Sequence, residues 1–152
     1  MIKIGLIDVD GHNFPNLALM KLSAFHKLRG DKVEFVTIGN YDKIYMSKVF
    51  TFTPDYECGL SRFGELIKGG PAYNYNKLPD EIEHIMPDYS IYKTDKAYGF
   101  LTRGCPNKCK WCNVPEKEGQ IKINADITEF WNAQKVNKII FAWGSFQEAV
   151  RL

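Results

Sequence analysis

The sequence predicts an α/β protein, with an open parallel sheet over roughly its first ninety residues and the start of a second βα unit beyond them. Two observations predict it. Strand, helix and strand can be read in succession across residues 2–38, and such βαβ units favour parallel pairing with right-handed crossovers. The same order begins again near residue 97. A hydrophobic fraction of 45% supplies enough apolar side chain for a real core.

Residues 2–9 (IKIGLIDV) are a short β-branched, apolar run ending in Asp8-Val9-Asp10-Gly11, as expected of a buried strand entering a loop. From Asn16 to Arg29 the apolar residues Leu17, Met20, Leu22, Ala24, Phe25 and Leu28 are spaced for an amphipathic helix, with Asn13 or Asn16 near its start and Gly30 as a stop. Lys32 to Ile38 (KVEFVTI) reads as the second strand, Tyr45 to Phe52 as the third and Glu65 to Lys68 as the fourth. Pro79-Asp80-Glu81 opens a short helix that Pro87 closes. Ala97 to Arg103 is a new strand leading into a cysteine-bearing loop, Asp126 to Asn137 a helix, and Asn137 to Ala142 another buried strand. The predicted domains are residues 1–92 and 93–152.

A net charge of +2 gives no electrostatic case for nucleic acid or an anionic membrane as a partner. The N-terminal MIKIGLIDVDG has too short an apolar run, with an acidic end, for a signal peptide or a membrane span. A reducing cytoplasm is the expected setting, and there four cysteines point to metal or redox chemistry before disulfides.

Cys105, Cys109 and Cys112 form a CxxxCxxC pattern, with Trp111 just before the last cysteine. Three thiolates on one loop can take three corners of a cubane iron–sulfur cluster and leave the fourth iron without a protein ligand. The loop resembles the signature of the radical S-adenosylmethionine (SAM) enzymes. That resemblance implies a [4Fe–4S] cluster on Cys105, Cys109 and Cys112, whose open iron binds SAM and whose electron splits it to methionine and a 5′-deoxyadenosyl radical. It also implies a (β/α) barrel around the loop, Trp111 near the adenine, and an electron donor such as flavodoxin or ferredoxin. The place of the family's glycine-rich SAM-contacting stretch falls at Ala142 to Ser145, where Gly144 remains and the glutamate is missing.

The N-terminal sheet is expected to be Rossmann- or flavodoxin-like, and it resembles the cobalamin-binding domain found in one branch of the same family. Asp10-Gly11-His12 is similar to the start of that domain's DxHxxG motif, although Pro15 holds the glycine position. Gly69 and Gly70 are similar to its strand-ending glycine pair, where a flat cofactor approaches the backbone. The resemblance implies Asp10, His12, Gly69 and Gly70 as a cobalamin-like site, and the same residues also read as loop caps and a turn. Lys108, Lys110, Lys117 and Lys122 surround the cysteine loop, as a basic rim for an acidic donor or a solvated face.

No catalytic residue is identifiable. A family barrel needs about six βα units by the resemblance, and about two are expected here, so the barrel is expected to be partial. Weak or absent SAM cleavage by the chain alone is expected, with a second chain completing the barrel. Two other classes stay open: a structural zinc site with His84 or Cys58 as fourth ligand, and a non-catalytic ligand- or partner-binding module.

Overall fold

A computed structural model describes residues 1–11, 14–57, 61–74, 77–107, 109–112, 114–132, 138–143 and 146–148, with backbone only for Ser61 and from Ile140 onward. His12, Cys58, Lys108 and Gly144 lie outside the described residues. The chain divides into two units, Met1–Tyr92 and Lys93–Leu152.

The first unit is α/β, built on four parallel strands: β1 (Lys3–Asp8), β2 (Lys32–Phe35), β3 (Gly39–Ser47) and β4 (Ser61–Gly69), in the order β2-β1-β3-β4. The helix α1 (Leu17–Leu28) crosses from β1 to β2. Its start is set by Asn16, whose side-chain oxygen accepts the Leu19 N–H at 3.2 Å and so satisfies one of the unpaired amides of the first turn. Its end is set by Gly30, whose φ of +82° is open to glycine at little cost. The buried face of α1, Leu19 and Leu22, packs with Ile4 and Leu6 of β1 and with Ile82 from the short helix α2 (Asp80–Glu83). A second cluster joins Ile7 to Tyr41, Ile44 and Met46 of β3, with Val9, Val36, Leu66 and Tyr73 against it.

Only Val36, Thr37 and Ile38 separate β2 from β3, although β1 lies between them. A parallel crossover ordinarily takes about a dozen residues or more. Gly5 makes the short route possible. A Cβ at that position would stand 2.6 Å from Val36 and 3.0 Å from the Tyr41 ring, so the link packs where β1 has no side chain. The Tyr41 hydroxyl then fastens it, accepting the Thr37 N–H at 2.9 Å and donating to Glu34 at 3.1 Å.

The third strand corrects the expectation of Tyr45 to Phe52: it begins at Gly39 and ends at Ser47. Beyond Ser47 the backbone amides of Val49 and Phe50 point to the Asp10 carboxylate instead of a neighbouring strand, and Phe50 and Phe52 stack on each other in the open. The fourth strand is longer than the expected Glu65 to Lys68 segment, because an edge strand tolerates exposed polar residues such as Arg62.

The second unit contains β5 (Lys96–Gly99) paired in parallel with β8 (Lys138–Trp143), and β9 (Phe146–Glu148) antiparallel to β8. Among the described residues this is a mixed three-stranded sheet, not a closed barrel. The strand expected from Ala97 to Arg103 is broken. After Gly99 the chain leaves the sheet, and Thr102–Arg103 (β6) pairs antiparallel with Lys122–Ile123 (β7). The helix expected from Asp126 to Asn137 is, in its described part, a single 3-10 turn at Ile127–Glu129. Asp126 and Glu129 close that turn in a reciprocal capping box, and Phe130 then buries its ring over Gly99, where a Cβ would collide with it. The rest of that expected helix, 133–137, lies outside the described residues.

Candidate metal centre: the cysteine loop

The β6–β7 pair forms the neck of an excursion that carries all three cysteines of the motif. Gly104 sits in the neck with φ of +83°, and a Cβ there would collide with the Gln120 carbonyl oxygen. Two strands of backbone therefore pass at a spacing that only glycine permits. The Cys105 N–H donates to the Gly119 carbonyl at 3.3 Å, which ties the first cysteine to the far side of the neck. Glu118, at the end of α3 (Val114–Glu118), braces the same point from its side chain. One of its oxygens accepts the Gly104 N–H at 3.0 Å, and the other accepts from the Arg103 guanidinium at 3.2 Å. Arg103 in turn sits over the Phe100 ring, its guanidinium carbon 3.9 Å from the ring centre.

Further out, the Cys112 N–H donates to the Cys109 carbonyl at 3.0 Å, so these two cysteines bracket a tight turn. Cys109 is exposed, while Cys105 and Cys112 are half-buried, and all three thiols are free. Trp111 stands almost fully in the open at 89% exposure. Among the described residues, no three His, Cys, Asp or Glu side chains converge as a metal site. The donor set still fits an iron–sulfur cluster: three soft sulfur ligands on one loop, accessible and unpaired, with the backbone fixed at both ends. His84, the alternative zinc ligand, ends α2 in the first unit.

The carboxyl ends of β1 and β3 are the crevice where an open α/β sheet of this order places ligands, since the strand order reverses between them. Here the structure joins protein to protein. The Asp10 carboxylate, 8% exposed, accepts the Val49 N–H at 2.5 Å and the Thr53 hydroxyl at 2.7 Å, with Phe50 N–H at 3.4 Å. Asp8 accepts the Tyr92 hydroxyl at 2.5 Å, and burial together with that carboxylate pushes the Tyr92 phenol well above its ordinary range. Asn16 donates to Ser47 at 2.8 Å. Gly70, at φ of +99°, leaves its side-chain space to the Lys48 backbone, whereas a Cβ on Gly69 would meet open space, its carbonyl accepting the Lys48 N–H at 3.1 Å. Asp10 and Gly70 thus fit a loop brace and a close backbone crossing. Both are taken up by the chain itself, which does not fit a cobalamin cradle.

Beside this crevice Asp55 accepts from Lys48 at 2.7 Å, Lys68 at 3.2 Å and Tyr73 at 3.0 Å. The Lys48 ammonium above all holds its carboxyl down to about 2, with Lys68 and Tyr73 assisting. Spacing alone did not disclose Glu118, Arg103 or Asp55. Gly104 had the one available signal, a glycine directly before the first motif cysteine.

Fold and loop together define an α/β protein with a parallel four-stranded sheet and a thiol-rich excursion from a second unit. No known protein family, curated protein or solved structure matches the chain. Among the described residues no helix is long and apolar enough to cross a membrane.

Proposed function

We propose that this chain binds a [4Fe–4S] cluster through Cys105, Cys109 and Cys112 and engages SAM there, as a radical SAM-type protein of the cytoplasm. The supporting observation is the loop itself: three free thiols in CxxxCxxC order, braced at a closed neck, with an exposed tryptophan beside the last. When bound, such a cluster supplies one electron through an iron that lacks a protein ligand, which divides SAM into methionine and a 5′-deoxyadenosyl radical that takes hydrogen from a substrate. The chain's residues have separate tasks. The thiols lose their protons and hold iron, and the neck fixes the backbone on either side of Cys105. Trp111 offers a flat apolar face for the adenine. A flavodoxin or ferredoxin is the proposed source of the electron, and the lysines at 110, 117 and 122 are complementary to an acidic donor.

The test is anaerobic purification and reconstitution with iron and sulfide. Equal iron and sulfide, a brown chromophore, and an electron paramagnetic resonance signal that changes when SAM is added are the expected results. Each of Cys105→Ser, Cys109→Ser and Cys112→Ser should abolish the chromophore. Zinc in place of iron and sulfide, or a chromophore that survives all three replacements, refutes the reading.

A further inference from the structure

The proposed ligand loop is held at its base by a residue that no cysteine spacing reveals. Glu118 reaches back across the neck and binds both residues that precede Cys105: the Arg103 guanidinium at 3.2 Å and the Gly104 N–H at 3.0 Å. Its side chain is largely shielded, at 19% exposure, and Arg103 sits over the Phe100 ring. Charge-assisted bonds in such a setting are stronger than neutral ones. The neighbouring Cys105 N–H to Gly119 carbonyl bond continues the same closure by one residue. Gly104 must stay glycine for the two backbones to meet at all.

We infer that Glu118 is a positioning residue for the thiol loop, closing its neck so that the Cys105 sulfur is held in place for ligation together with Cys109 and Cys112. The inference rests on the cluster reading and adds to it the residue that organises the site. Unlike the thiols, Glu118 supplies no metal ligand; it acts through the Arg103 guanidinium and the Gly104 N–H. Supporting groups of this outer kind commonly change metal affinity by about ten- to a hundredfold when removed.

Two readouts separate failure of this inference from failure of the cluster reading. The first needs no iron. In the full chain carrying Cys58→Ser and Cys109→Ser, so that Cys105 and Cys112 are the two thiols left, phenylarsine oxide bridges them only when they can approach together. Adding Glu118→Ala should slow that bridging about tenfold, and Glu118→Gln, which keeps an acceptor for the Gly104 N–H, should recover much of the rate. The second uses the reconstituted chain with all three thiols. Glu118→Ala should lose iron to a chelator about tenfold faster, with an altered resonance signal, while Glu118→Gln stays near the parent. Equal bridging rates in parent and Glu118→Ala, or equal iron loss with an unchanged signal, overturn the positioning role. If the parent takes up no iron while the bridging difference holds, the cluster reading falls and the loop-closing role of Glu118 stands.

Discussion

Replacing Asp10 by alanine should destabilise the first unit severely, because its carboxylate organises the loop that follows β3. Two of its bonds are short, 2.5 Å from the Val49 N–H and 2.7 Å from the Thr53 hydroxyl, and the side chain is almost wholly buried. A hydrogen bond to a charged acceptor contributes about 1.5 kcal/mol at the low end of its range, so the pair amounts to about 3 kcal/mol. The Phe50 N–H at 3.4 Å adds little. With a urea slope of about 1.5 kcal/mol/M for a domain of this size, the unfolding midpoint should fall by about 2 M. Asp10→Asn keeps the shape and one acceptor, and should lose about half as much. Far-UV circular dichroism reports the transition, and tryptophan fluorescence serves as the internal control. All three tryptophans, Trp111, Trp131 and Trp143, belong to the second unit. A loss below about 0.5 kcal/mol would refute the bracing role, and a gain in stability would mark Asp10 as a group held under strain for a ligand.

Two further outcomes test other parts of the structure. Asp55 has its folded-state carboxyl lowered from 3.8 to about 2, so it contributes stability above its unfolded value, and that contribution is lost as pH falls from about 4 toward 2. Asp55→Asn should therefore flatten the acid limb of stability against pH in that window and leave the shape above pH 5 unchanged; an unaltered acid limb contradicts the Lys48–Asp55–Lys68 arrangement. Gly99→Ala drives a methyl group into the Phe130 ring and should cost the second unit about 1–3 kcal/mol, read by tryptophan fluorescence through the adjacent Trp131. An unshifted fluorescence transition would show that the ring does not pack there.

Patterns confined to neighbouring residues were readable directly from the chain. The helical spacing of apolar positions from Leu17 to Leu28, with an asparagine before and a glycine after, yields α1 because periodicity and capping are properties of one short segment. The first strand and the parallel βαβ order follow on the same footing. The three motif cysteines are likewise visible as a spacing, and so is the chemical class of donor that they offer.

Features set by distant partners were not readable. The third strand lies at Gly39–Ser47 and not at the more apolar Tyr45 to Phe52, because Asp10, some forty residues away in sequence, takes the amides that would have extended it. The short β2–β3 link packs into the space of the missing side chain of Gly5, and the Phe130 ring into that of Gly99. Asp10 and Gly70 look like ligand contacts in one dimension, yet in three they hold Val49, Thr53 and the Lys48 backbone. Glu118 becomes part of the cysteine site only once the chain turns back on itself. Local spacing determines which groups are available, while hydrogen-bond partners and excluded volume, which need the folded chain, decide what those groups face.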